Sequence, residues 1–191
     1  MNEILEKFHY LKSLKSDINE HLETLKKYSE ECETIIEMGV RGIVSTWAFL
    51  AAKPKKITCY DISNLSLQYP EELAKKNDIV LNFIQANVLD VEIEHSDLLF
   101  LDTIHRYHQL FYELNLHAKK IKKYIVMHDT VTYACVDEPI YLPNFKSPDI
   151  ENKKGLSQAI SDFLRTEEGN DWFIYETYEN NNGLTILKRK S

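Results

Sequence analysis

The sequence predicts an α/β fold: a doubly wound, mostly parallel sheet that ends in an antiparallel C-terminal hairpin and is preceded by N-terminal helices. Three observations carry the prediction. Short apolar runs at 34–38, 56–60, 79–84, 98–101 and 124–127 read as buried parallel strands. Between several of them lie stretches with helical spacing, at 45–52, 71–76 and 107–120, which is the alternation of a doubly wound sheet. Two further apolar runs, 172–178 and 184–187, are joined by Glu179-Asn180-Asn181-Asn182-Gly183. Asparagine and glycine tolerate positive φ, so this linker predicts a hairpin turn and an antiparallel end to the sheet.

Taken in chain order, Ile4, Phe8, Leu11, Leu14, Ile18, Leu22 and Leu25 recur at spacings of three and four. Ser16 and Asp17, just before Ile18, read as a side-chain cap where the helix restarts, so two helices are expected before the first strand. The segment 87–96 is too short for a full crossover helix, and a loop or single turn is expected there. After Asp129 the pattern loosens through Pro139, Pro143 and Pro148, with the composition of a surface loop or lid. Helical spacing returns over 155–165 in Leu156, Ile160, Phe163 and Leu164.

A length of 191 residues with 43% hydrophobic content suits one domain, read as an N-terminal helical cap over 1–32 on an α/β core over 33–191. The net charge of -7 repels phosphate backbones and anionic membrane surfaces, so nucleic acid and membrane are excluded as expected partners. The lysine clusters at 53–56, 119–123 and 188–190 fall at element ends and read as solvated. Cys32, Cys59 and Cys135 are odd in number and far apart, which argues against a disulfide framework or a structural zinc. With no signal-peptide core and no run of about 20 apolar residues, the expected compartment is the cytoplasm. The amphipathic N-terminal helix offers a surface for a homo-oligomer.

The chemistry concentrates at the expected strand ends. Glu37-Met38-Gly39-Val40-Arg41-Gly42 delivers an acid and a glycine turn at the end of the first strand, and a helix start follows at Ser45. Glycines let a backbone approach a ligand closely, and exposed helix N–H groups favour its negative end. The dinucleotide fingerprint G-x-G-x-x-G is absent, which weighs against a nicotinamide enzyme. Asp61 ends the second strand, about twenty residues on, where a carboxylate accepts from ribose hydroxyls. At the end of the third strand, Asn87 and Val88 offer an amide for an adenine edge, or a plain turn.

Together these residues resemble class I S-adenosylmethionine-dependent methyltransferases, which are Rossmann-like, from about Thr34 onward. The glycine turn matches that family's E-x-G-x-x-x-G pattern except that Ile43 stands at the last glycine. The resemblance implies a cofactor site in which Glu37 and Gly39 flank the methionine part, with Val40, Arg41, Gly42 and Ser45 in the same turn. It places Asp61 on the ribose, Asn87 and Val88 on the adenine, and Asp102 on the cofactor side as well. Two further segments, Asp102-Thr103-Ile104-His105 and His128-Asp129-Thr130, resemble the metal-assisted small-molecule O-methyltransferases and the cephalosporin-hydroxylase-like group.

That second likeness implies Asp102, His128 and Asp129 as holders of Mg²⁺ or another divalent cation, which would bind acceptor oxygens. His128 stands where the pattern often carries a carboxylate, which opens the position to a softer ion. His105 is the candidate general base, and Asp102 the acid that acts with it. The implied reaction is O-methylation of a small hydroxylated acceptor, whose pocket is expected from the N-terminal helices and 133–148. The competing reading is a catalytically silent nucleoside-binding module, because this fold hosts many functions. His108 and His117 carry no assigned role, and Trp47 is read as core close to the glycine turn.

Overall fold

The computed structural model describes residues 3–139 and 152–190. Helix α1 spans Glu3–Ser13 and buries Ile4 and Phe8 in the core it shares with the third α-helix, worth about 2 kcal/mol for each such side chain. The chain then breaks, passes through a single 3₁₀ turn at Asn19–His21, and continues as α2, Leu22–Ser29. Ser16 supplies the expected cap: its Oγ accepts from the Asn19 N–H at 3.0 Å and the Ile18 N–H at 3.4 Å. Asp17 does not cap. It reaches across to the glycine turn instead.

Strand β1 is Thr34–Met38, α3 is Ser45–Ala51 and β2 is Lys56–Asp61. Helix α4 occupies Gln68–Lys76, three residues earlier than the spacing predicts. Pro70 sits in its first turn, where a missing N–H removes no helical bond. Strand β3 is Val80–Gln85, and the crossover to β4, Ser96–Leu101, holds only a 3₁₀ turn at Val88–Asp90, as its length requires. Helix α5 is Tyr107–His117, with a last 3₁₀ turn at Ala118–Lys120. Strand β5 is Ile121–His128, α6 is Leu156–Phe163, β6 is Trp172–Tyr178 and β7 is Leu184–Arg189.

All seven strands form one sheet in the order β3-β2-β1-β4-β5-β7-β6. The first five are parallel, β7 runs antiparallel to β5, and β6 is antiparallel to β7. Strand alternation sends Ile35 to one face, with the N-terminal helices and α3, and Ile36 and Met38 to the other, with α5 and α6. One expectation fails. Strand β3 is not buried: Val80 is 53% and Ile84 41% exposed, because β3 is an edge and the shortened crossover brings no helix over it.

Chain order reverses between β1 and β4, since the chain first builds outward through β2 and β3 and then returns to the other side of β1. In open sheets the crevice beyond the strand ends at such a switch point is where ligands bind. No helix among the described residues is long and apolar enough to cross a membrane.

Candidate functional site

A cavity of about 290 Å³ opens at that switch point, beyond the carboxyl ends of β1, β2, β3 and β4. Gly39 turns the chain out of β1 at φ +86°, and a Cβ there would stand 2.0 Å from the Asp102 carbonyl oxygen. Only glycine fits such an approach. The ends of β1 and β4 meet here, with the Asp102 N–H on the Met38 carbonyl at 2.9 Å, and on the other side the Gly39 N–H bonds to the Tyr60 carbonyl of β2 at 2.9 Å. Gly42 carries no such demand, since its Cβ would meet only Val44 at 3.5 Å. Ile43, in the place of the pattern's last glycine, holds φ +55°. A branched side chain pays about 1–2 kcal/mol for that left-handed backbone.

Glu37 does not line this cavity, contrary to the expectation that it flanks the ligand. It is fully buried, and its carboxylate accepts from Ser45 Oγ, from Thr46 Oγ1 at 2.8 Å and from Cys59 Sγ at 3.1 Å. Its alternation on β1 directs it towards α3, so it ties the strand to the helix beneath the turn. Burial pushes its carboxyl up to about 7, against the hydrogen bonds from Ser45, Cys59 and Thr46.

Asp61 does line the cavity. Its Oδ2 accepts from the backbone N–H of Val40 at 2.8 Å and Arg41 at 3.0 Å, and its Oδ1 from Ser63 at 2.8 Å, so it orders the glycine turn. Asn87 and Val88 also face the cavity. The Asn87 amide serves the turn reading: its oxygen accepts from the Leu89 N–H at 3.2 Å and its nitrogen donates to Asp90 at 2.9 Å. Val40, Arg41, Gly42, Ser45 and Asp102 complete the expected lining. Asp17 and Ile18 were not assigned to the site from sequence, yet they close it from the N-terminal cap, with Asp17 on Arg41 Nη2 at 2.5 Å. Gln109 and Glu138 also went unassigned and line it.

Beside the cavity, Asp102, His105, His128 and Asp129 converge from the ends of β4 and β5. His105 Nε2 stands 3.1 Å from both Asp102 Oδ1 and Asp129 Oδ2, and its Nδ1 donates to Glu138 Oε2 at 2.9 Å. The ring stacks on Tyr133 at 5.0 Å, interplanar angle 1°. Burial pushes the His105 imidazolium down, but hydrogen bonds to Asp102 and Glu138 and the charges of Asp102 and Asp129 outweigh it, leaving the pKa at about 10. In this arrangement His105 is a proton carrier with its proton on. Burial alone would raise the Asp102 carboxyl; hydrogen bonds from His105 and His128, with their charges, hold it far below the usual range. Asp129 moves the other way, raised by burial.

A donor atom from each of Asp102, His128 and Asp129 lies within 4.8 Å of the others. One oxygen of Asp129, Oδ1, is buried without a hydrogen-bond partner among the described residues. Two carboxylates, an imidazole and an orphaned buried oxygen fit a divalent cation chemically. Glu138 gave no signal in the sequence beyond an acid before a proline. It reaches His105 because the Glu138 N–H donates to the His105 carbonyl at 2.8 Å, while Asp137 accepts from the backbone of Tyr107 and Gly155. The expected acceptor-pocket residues beyond Pro139, including Pro143 and Pro148, lie outside the described residues. His117 is buried, with Nε2 2.9 Å from the Val88 carbonyl, and Trp47 packs in the core.

Sheet order, reversed terminal hairpin and switch-point cavity define a Rossmann-like fold of the methyltransferase kind. Solved structures agree. The fold is similar to a Klebsiella pneumoniae protein provisionally classed as an O-methyltransferase (TM-score 0.63, 15% identity, 99% of this chain and 89% of that one). It is also similar to a Staphylococcus aureus protein provisionally classed as a caffeoyl-CoA O-methyltransferase (0.62, 13%, 98% and 91%). A third similar structure is N-methyltransferase NodS from Bradyrhizobium japonicum in complex with S-adenosyl-L-homocysteine (0.57, 11%, 100% and 100%). No family model matches the sequence, and no curated protein matches it.

Proposed function

We propose that the chain binds S-adenosylmethionine in the switch-point cavity and transfers its methyl group to a hydroxyl of a small acceptor, assisted by a divalent cation. One observation carries the reading: the Gly39 turn, Asp61, Asn87, Val88 and Asp102 come from four strand ends and line a single cavity. The NodS complex supports the cofactor, since that methyltransferase holds S-adenosylhomocysteine on a similar fold.

In the transfer, the carbon–sulfur bond of the sulfonium breaks, a carbon–oxygen bond forms, the hydroxyl proton goes to a base, and S-adenosylhomocysteine is left. Much of the work is orientation, because an in-line geometry removes several kcal/mol of barrier, about 7–11 in favourable intramolecular cases. Asp61 keeps acceptor capacity for a ribose hydroxyl beyond its three backbone bonds. Asp102 faces both the cavity and the carboxylate–histidine cluster, which supports an acceptor site between them. Asp102, His128 and Asp129 would hold the cation, which supplies a Lewis acid that lowers the acceptor pKa. To take the hydroxyl proton His105 must first release its own to solvent, which a cation on Asp102 and Asp129 would favour by offsetting the charges that hold the imidazolium.

The silent-module reading has one observation in its favour, the strained Ile43 in the cofactor turn. Calorimetric titration with S-adenosylhomocysteine and with NAD, each with and without Mg²⁺ or Mn²⁺, tests the proposal. Binding of S-adenosylhomocysteine and not NAD is expected; no binding of S-adenosylhomocysteine under any condition refutes it. Methyl transfer to hydroxylated acceptors, lost on adding chelator and in Asp102→Asn, separates the enzyme from the silent module.

A further inference from the structure

We propose that Asp102, His128 and Asp129 prefer a divalent first-row transition ion over Mg²⁺, with His128 Nδ1 as the nitrogen donor and the β6–β7 turn as the device that aims it. The inference rests on the reading of this cluster as the assisting-cation site, and it concerns which ion that site selects.

The argument starts from the ring of His128. Its Nε2 lies 3.2 Å from the carbonyl oxygen of Asn181, and a carbonyl only accepts, so Nε2 carries the hydrogen. In the neutral ring that leaves the lone pair on Nδ1. Nδ1 faces Asp102 Oδ1 at 3.3 Å and Asp129 Oδ2 at 3.7 Å. A lone pair set against two carboxylate oxygens is repulsive, so the position calls for a positive charge: a proton on Nδ1 donated to Asp102 in the metal-free chain, or a cation that takes that proton's place. Asp129 Oδ1, buried and unpartnered among the described residues, adds a further unsatisfied donor atom to the same group. His105 Nε2 competes for Asp102 Oδ1 and Asp129 Oδ2, so a bound ion must take those oxygens from it.

Selectivity follows from the donor set. Mg²⁺ is a hard ion that dehydrates reluctantly and favours oxygen, whereas Mn²⁺ through Zn²⁺ accept imidazole with rising affinity up to copper. Replacing one carboxylate of an oxygen site by His128 therefore costs Mg²⁺ more than it costs a transition ion.

Ligating imidazoles depend on the group that holds their other nitrogen. Here that group is the Asn181 carbonyl, and it is secured from the N-terminal cap. Asn181 Nδ2 donates to the Ser16 carbonyl at 2.9 Å, and its Oδ1 accepts from the Glu20 N–H at 3.0 Å. His21, itself buried, lies with Nε2 2.9 Å from the Asn180 carbonyl and 3.1 Å from that of Asn181. Its ring meets His128 edge-on at 5.7 Å. Asn181 holds φ +46°, so a glycine there keeps the backbone and deletes both side-chain bonds.

The test uses the full chain stripped of metal. Co²⁺ is titrated by its visible ligand-field bands, Mg²⁺ is added as competitor, and S-adenosylhomocysteine binding is measured calorimetrically on the same samples. One Co²⁺ per chain is expected, with a preference over Mg²⁺ on the order of 100-fold. His128→Asp should cut that preference at least about tenfold, and Asn181→Gly should weaken Co²⁺ about tenfold. Failure of Co²⁺ to bind, displacement by equimolar Mg²⁺, or an unchanged preference in folded His128→Asp overturns the proposal. If His128→Asp does not fold, Asn181→Gly decides: unchanged Co²⁺ affinity overturns the assignment of the turn and its His128 donor. S-adenosylhomocysteine binding without Co²⁺ binding refutes only the ion site, and Co²⁺ binding without S-adenosylhomocysteine refutes only the methyltransferase reading.

Discussion

Replacing Gly39 by alanine perturbs the joint on which the cavity is built, and the size of the effect follows from distances. The new Cβ would lie 2.0 Å from the Asp102 carbonyl oxygen and 2.5 Å from its carbon, both backbone atoms that cannot rotate away. Restoring ordinary contact needs a separation of the β1 and β4 ends of about 1 Å, judged against carbon contact distances of about 3.5 Å and the give of a packed core. Such a shift stretches the Asp102–Met38 bond between the two strands and displaces the Gly39 N–H from the Tyr60 carbonyl of β2, both bonds 2.9 Å now. At about 1 kcal/mol for each bond and a further 1–2 kcal/mol for alanine at positive φ, the loss is about 3–4 kcal/mol. For a chain of this size that lowers Tm by roughly 6–16 °C. Thermal and urea unfolding of Gly39→Ala beside Gly42→Ala measures it, because a Cβ at Gly42 makes only an ordinary contact with Val44 and that variant should stay within about 0.5 kcal/mol of the parent. A Gly39→Ala protein that melts with the parent, or a Gly42→Ala protein that falls as far, refutes the reasoning.

Other expectations follow from single groups. Glu113 is buried, its Oε1 accepts from Thr103 Oγ1 at 2.6 Å and Gln109 Nε2 at 2.7 Å, and burial pushes its carboxyl up to about 7. A carboxyl raised in the folded state binds its proton there more tightly than when unfolded, so its contribution falls as pH rises from about 4.5 to about 7 and is full below that window. Glu113→Gln, which keeps an acceptor and cannot ionise, should therefore gain on the parent by up to about 3 kcal/mol across that window in urea melts; a constant difference at all pH values contradicts the assignment. Asp61→Asn cannot accept on both oxygens, and should lose at least about tenfold in S-adenosylhomocysteine affinity through the disordered Val40–Arg41 turn, about 1.4 kcal/mol; undiminished affinity would remove Asp61 from the site. The Asp17–Arg41 pair is exposed, 44% and 82% by side chain, so Asp17→Asn should leave Tm nearly unchanged, and a large drop would show a structural role.

The strands were legible because parallel strands buried on both faces are continuous apolar runs, and the terminal hairpin because Asn181, Asn182 and Gly183 all hold positive φ. The short crossover between β3 and β4 could be read from length alone. Its consequence, an exposed face on β3, could not, since whether an apolar strand is covered depends on what packs over it.

At the site, the sequence alone determined which residues stand at strand ends: Gly39, Asp61, Asn87, Asp102 and Asp129 are placed there by the apolar runs that precede them. Tertiary structure decided what each one faces. Glu37 and Asp61 look equivalent as acids near the ends of adjacent strands and share one face of the sheet, yet Glu37, level with Cys59, is sealed under α3, while Asp61, two residues further along β2, reaches past β1 to the glycine turn and borders the cavity. Glu138, Asp17 and the Asn181 carbonyl reach the site from segments far away in the chain, 33 residues from His105, 24 from Arg41 and 53 from His128. Local patterning records propensity and periodicity, which are properties of neighbours along the chain. Contacts over such separations are set by how the layers close on one another, and only the folded protein holds that information.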